Sequence, residues 1–136
     1  MKTFNNSLNF ILLIINIFFL LYYSIQLLIF TDEFALKNIG FYNHAVAGLS
    51  EIIGIIFFSL SIGLIICLFK GLNNQKPLFF TIFIIEFLIS FNFWRYVFTD
   101  SPGETNLEII SFNASVFSIL SICMLLLIIR SNNKNY

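Results

Sequence analysis

Charge is the scarcest property of this chain. Of its 136 residues, 7 are Lys or Arg and 7 are Asp or Glu, 10% together; an average soluble domain carries about 25%. Hydrophobic residues make up 59%. A water-soluble protein of this size has too little interior to hide so much apolar surface, so lipid must be part of the solvent. The few basic residues are dispersed, which excludes nucleic-acid binding. Histidine occurs once and cysteine twice. A single histidine cannot complete a bis-His haem site, and no His, Cys and carboxylate cluster has zinc spacing, so no metal or cofactor is expected. Cys67 and Cys123 stand singly; without a C-x-x-C pair a quinone-coupled thiol relay has no route for its electrons. No glycine-rich loop is present to cradle phosphate.

What the chain does have is four long apolar runs, at 9–30, 45–69, 78–98 and 109–129. Each meets the requirement of about 20 residues for a hydrocarbon core of roughly 30 Å. In lipid, backbone groups must be satisfied within the segment, so the runs read as helices. The alternation of a membrane β-barrel is absent. Connectors 31–44, 70–77 and 99–108 are too short for a soluble domain. The expectation is one all-α domain over 1–136, a four-helix transmembrane bundle. Lys2 ahead of an apolar run invites comparison with a signal peptide, whose apolar region spans about 7–15 residues before a small-residue cleavage site. Run 9–30 is longer and ends Leu27-Leu28-Ile29-Phe30-Thr31, so an uncleaved first helix is expected.

Net charge is zero, yet the charges are sorted. Lys2, Lys70, Lys76, Arg130 and Lys134 fall in the N-terminal segment, the second connector and the C-terminal segment, which four spans place on one side. Asp32, Glu33, Asp100, Glu104 and Glu108 fall in the first and third connectors, where Lys37 is the only base well inside. The positive-inside rule therefore puts both termini in the cytoplasm of a cell-membrane protein (N-in, C-in). Tyr22, Tyr23, Tyr42, Trp94 and Tyr96 gather towards the outer helix ends as interfacial anchors.

Each run also carries polar groups. A carboxylate at membrane depth is expensive and is by default a functional candidate, which singles out Glu51 in the second run and Glu86 in the third. Helical spacing puts His44, Gly48 and Glu51 on one face, and Asn92 and Arg95 on one face of the next helix. At 1.5 Å per residue, Glu51 lies roughly 10 Å below the outer helix end and Arg95 about 5 Å below the same surface. Gln26, Tyr22, Tyr23 and Asn113 reach similar depths. The expectation is an outer polar cluster of Glu51, His44, Arg95, Asn92, Gln26 and Tyr23. Within it Glu51 and Arg95 either pair structurally or line a cavity with aromatic walls. Glu86 lies roughly 12 Å above the cytoplasmic end and stands apart; as a neutral acid it would donate a hydrogen bond to a neighbouring helix.

Residues 47–54 read AGLSEIIG and run on through an apolar stretch to Gly63-Leu64. This segment resembles the second-helix signature of the DoxX-like four-helix membrane proteins, whose length, span number and cytoplasmic termini also fit. The resemblance makes Glu51 the matching acidic position. It implies a link to quinone or thiosulfate oxidation, or to the assembly of membrane partners. The glycine-rich first helix of that family has no counterpart here, since 9–30 contains no glycine. Small multidrug transporters are similar in size, but they carry their carboxylate in the first helix, and run 9–30 has no acid.

These readings give a small, non-enzymatic multi-pass membrane protein. It has an outer-leaflet polar cavity for a small or lipidic ligand, or serves as an accessory subunit. Two alternatives stand beside it: a proton-coupled transporter or channel using Glu51 and Glu86, and a membrane subunit of a quinone-linked oxidoreductase. The bilayer is the expected partner. Ser50-x-x-x-Gly54, Ser59-x-x-x-Gly63, Ser111-x-x-x-Ser115 and Ala114-x-x-x-Ser118 are small-residue faces suited to packing within the chain, to a homodimer or to a membrane-protein partner.

Overall fold

The computed structural model describes residues 7–72, 74–101 and 103–132. These form α1 (Ser7–Leu28), α2 (Thr31–Asn38), α3 (His44–Lys70), α4 (Lys76–Phe98) and α5 (Leu107–Asn132), with no strand among them. Four of the five are long and apolar enough to cross a membrane, the architecture of a small multi-pass membrane protein. With connectors this short, successive long helices run antiparallel.

Local chemistry sets the helix ends. The Asn43 side chain accepts from the Val46 N–H at 2.8 Å and so caps α3. Asn106 does the same for the Ile109 N–H of α5, at 2.9 Å. Pro77 sits in the first turn of α4, where its missing N–H leaves no hydrogen bond unmade.

The first connector departs from expectation, because it folds as α2. Asp32 and Glu33 lie in its first turn and Lys37 in its last, each on the favourable side of the helix dipole. Thr31 and Ala35 are buried and Phe34 and Asn38 half-buried, an i, i+3, i+4, i+7 face turned to the bundle. The Thr31 hydroxyl also donates to the Leu27 carbonyl at 2.7 Å, tying α2 to the end of α1.

In lipid, tails are as apolar as the helices, so close packing and hydrogen bonds hold a bundle together. α3 lies along α1, α4 along α5, and α1 joins the two pairs through α5. A Cβ at Gly54 would sit 2.8 Å from Leu28 Cγ and 3.0 Å from Leu27 Cβ, so glycine there lets α3 approach α1. Between α4 and α5, Ser118 Oγ accepts from Trp94 Nε1 at 2.9 Å and meets Ser90 Oγ at 2.7 Å. The small residues Gly54, Ala114 and Ser118 therefore pack inside the chain. Leu13, Leu20, Leu64, Phe79, Ile82 and Leu127 fill the core.

The two ends of the bundle differ. At one end Gly40 has φ +90°, and a Cβ there would run into the backbone carbonyl of Glu104. The Thr105 hydroxyl donates to the Lys37 carbonyl at 3.3 Å beside it, so the first and third connectors dock on each other; this is called the α2 end below. At the other end Arg130 Nε donates to Asn9 Oδ1 at 2.7 Å, joining α5 to α1. Lys70 and Lys76 flank the connector at that end. Lys2 and Lys134 lie outside the described residues.

Candidate functional site

α3 and α4 are consecutive but scarcely touch, because each is committed to a different partner helix. The gap between them opens at the α2 end into a cleft of about 610 Å³. That volume lies within the range of about 300–1,000 Å³ typical of small-molecule sites. Val46, Leu49, Ser50, Ile53 and Phe57 form the α3 wall, and Leu88, Ile89, Asn92 and Phe93 the α4 wall. Each set occupies one helix face, at spacings of three and four residues. Tyr23, Leu27, Ile110, Asn113 and Phe117 form the floor, and Phe34, Asn38 and Ile39 close the cleft at the α2 end.

The lining contains no charged residue; 12 of its 17 residues are apolar. Its polar groups are organised. The Tyr23 hydroxyl donates to Asn113 Oδ1 at 2.7 Å, and Asn113 Nδ2 donates to Asn38 Oδ1 at 3.0 Å. Asn38 Nδ2 in turn donates to the Phe34 carbonyl at 3.0 Å. This relay joins α1, α5 and α2, and Tyr23 and Asn113 are both buried within it. The Ser50 hydroxyl and the Asn92 amide have no hydrogen-bond partner among the described residues, which leaves them for an occupant of the cleft. A second, more polar pocket of about 510 Å³ lies behind the relay. It is lined by Tyr22, Gln26, Glu33, Lys37 and Glu108 and shares Tyr23, Phe34, Asn38 and Asn113 with the cleft.

The six residues expected to cluster are therefore divided. Tyr23 sits at the head of the relay and Asn92 on the cleft wall. Gln26 lines the second pocket. His44, the first residue of α3, is exposed. Glu51 is exposed one residue beyond Ser50 and outside the cleft wall. Arg95 is exposed as well, its guanidinium 4.7 Å from the centre of the Tyr96 ring. Among the described residues Glu51 and Arg95 form no ion pair, and neither lines the cleft, so the structure brings them together in neither of the two expected ways. One residue step turns a helix by about 100°, so the face that carries Ser50 into the cleft carries Glu51 out of it.

Glu86 takes the opposite position. It is fully buried, and neither carboxyl oxygen has a hydrogen-bond partner. The hydrogen bond expected from it to a neighbouring helix is thus absent among the described residues. Ser50 and Asn38 were not singled out by their depth or charge. Asn38 was signalled only by the amphipathic spacing of 31, 34, 35 and 38. No family model matches the chain, and no curated protein or solved structure matches it either.

Proposed function

We propose that this chain is a non-enzymatic protein of the cell membrane, with both termini cytoplasmic, that holds an uncharged amphipathic lipid in the cleft between α3 and α4. The observation that carries this reading is the composition of the cleft. Its walls are apolar, no Lys, Arg, His, Asp or Glu lines it, and Asn, Ser and Tyr supply its polar groups. A charged headgroup would enter such a site without a partner, which is unfavourable by several kcal/mol or more. A hydroxyl, ester or quinone carbonyl finds neutral donors and acceptors in Asn92 and Ser50.

Entry is lateral, between two helices that do not seal against each other. The charge sorting supports an outer-leaflet location, since the acidic connectors lie at the α2 end. The DoxX-like reading of 47–54 supports a quinone as one member of this ligand class. That segment supplies Leu49, Ser50 and Ile53 to the cleft wall, whereas its acid, Glu51, faces away.

Organic extraction of the purified protein followed by lipid mass spectrometry tests this function. An uncharged amphiphile should be enriched over the surrounding bilayer, and Ile53→Trp, which fills the cleft, should remove the enrichment. Bound lipid of bulk composition in both proteins would overturn the reading.

A further inference from the structure

Two charges of opposite sign stand on the outer surface of the helices without a charged partner among the described residues. Glu51 is exposed on α3, seven residues from the start of the helix at His44. Among the described residues no hydrogen bond or ion pair reaches it. Its face continues through Ile55, Phe58 and Ile62, all exposed, so the carboxylate interrupts an apolar stripe. Arg95 is exposed on α4, three residues from the helix end at Phe98, with its guanidinium over Tyr96. Phe91 and Phe98, exposed on its side of the helix, make that stripe apolar too. Neither charge lines the cleft, so the cleft does not join them.

A charge held against hydrocarbon is expensive, and ionisable groups at membrane depth pair. Glu51 and Arg95 lie roughly 10 Å and 5 Å from the same end of the bundle. Copies inserted in the same sense share one membrane plane, so these depths stay in register from copy to copy. The flexible Arg stem covers the remaining difference.

We propose that this chain self-associates in the membrane through an ion pair between Glu51 of one copy and Arg95 of another. A guanidinium and a carboxylate meet in a charge-assisted, bidentate geometry that lipid cannot offer Glu51. The flanking apolar stripes close around the pair and keep it dry. Donor and acceptor lie on different helices, so each copy offers one half of the contact on each of two surfaces. Arg95 alone could snorkel to the headgroups, but that leaves Glu51 unanswered and predicts no association.

The test is energy transfer between donor- and acceptor-labelled copies in lipid vesicles. Wild-type copies should transfer. Glu51→Arg and Arg95→Glu should each, alone, weaken association by about tenfold or more. Mixing the two reversed chains should restore it, because each supplies the charge the other lacks. An interaction within one chain cannot give this rescue. Absence of transfer by the wild type, or undiminished self-association of both reversed chains, overturns the proposal. If a reversed chain does not fold, Glu51→Gln and Arg95→Gln serve instead. Each should lower transfer, and unchanged transfer in both overturns the proposal equally.

Discussion

Removing one hydroxyl tests the relay that ties three helices together beside the cleft. In Tyr23→Phe the ring keeps its packing, 4.9 Å from the Phe117 centroid and 6.4 Å from that of Phe34. The loss is the 2.7 Å bond to Asn113 Oδ1. No other donor reaches that oxygen among the described residues, and Asn113 is only 7% exposed, so the acceptor is stranded. A stranded buried acceptor costs about 1–3 kcal/mol in soluble proteins. Hydrogen bonds between membrane helices average about 0.6 kcal/mol and reach about 1.7, because the unfolded chain in the membrane also finds partners. The expected loss is therefore about 1 kcal/mol, roughly fivefold in the folding constant. Reversible unfolding in mixed micelles titrated with dodecyl sulfate measures it for wild type, Tyr23→Phe, Asn113→Ala and the double variant. The cycle should return a coupling of about 1 kcal/mol. A coupling of zero, or a Tyr23→Phe protein as stable as wild type, would refute the relay as a structural link.

The same titration reads three further changes. Gly54→Ala brings a Cβ to 2.8 Å from Leu28 Cγ and should destabilise by about 1–3 kcal/mol as α1 and α3 are forced apart. Glu86→Leu replaces a fully buried carboxyl without hydrogen-bond partners by an apolar side chain. Stability should rise by about 1–3 kcal/mol, and a fall would reveal a partner for that carboxyl. Trp94→Phe keeps an aromatic ring beside Phe98 but deletes the 2.9 Å bond to Ser118 Oγ. Its expected loss is about 0.5–1 kcal/mol, and no loss would count against the serine cluster as a lock between α4 and α5.

The long helices were legible because length and apolarity decide a span regardless of what the span packs against. Expected runs and observed helices differ by a few residues at their ends, where Asn43, Pro77 and Asn106 act. Helix α2 was legible in principle, since 31, 34, 35 and 38 already form one face, but a connector between spans does not invite a search for amphipathic spacing. Depth was also readable, and it put Tyr23 and Asn113, which share a hydrogen bond, at one level. Azimuth was not. The turn of α3 about its own axis depends on which neighbour it meets, and Gly54 against Leu27 and Leu28 settles that through tertiary contact. Ser50 goes into the cleft as a result, and Glu51, the more conspicuous residue, goes out. Glu86 shows the complementary limit. Its depth told that it stands apart from the outer polar residues, but not that it enters a core without a donor.

Photolabelling reads occupancy of the α3–α4 cleft most directly. A photoreactive, uncharged diacylglycerol analogue activated in vesicles should mark residues within 46–57 of α3 and 88–93 of α4, and excess unlabelled diacylglycerol should remove those marks. Label spread evenly over exposed residues such as Phe69, Phe98 and Phe112, and indifferent to the competitor, would contradict a binding cleft.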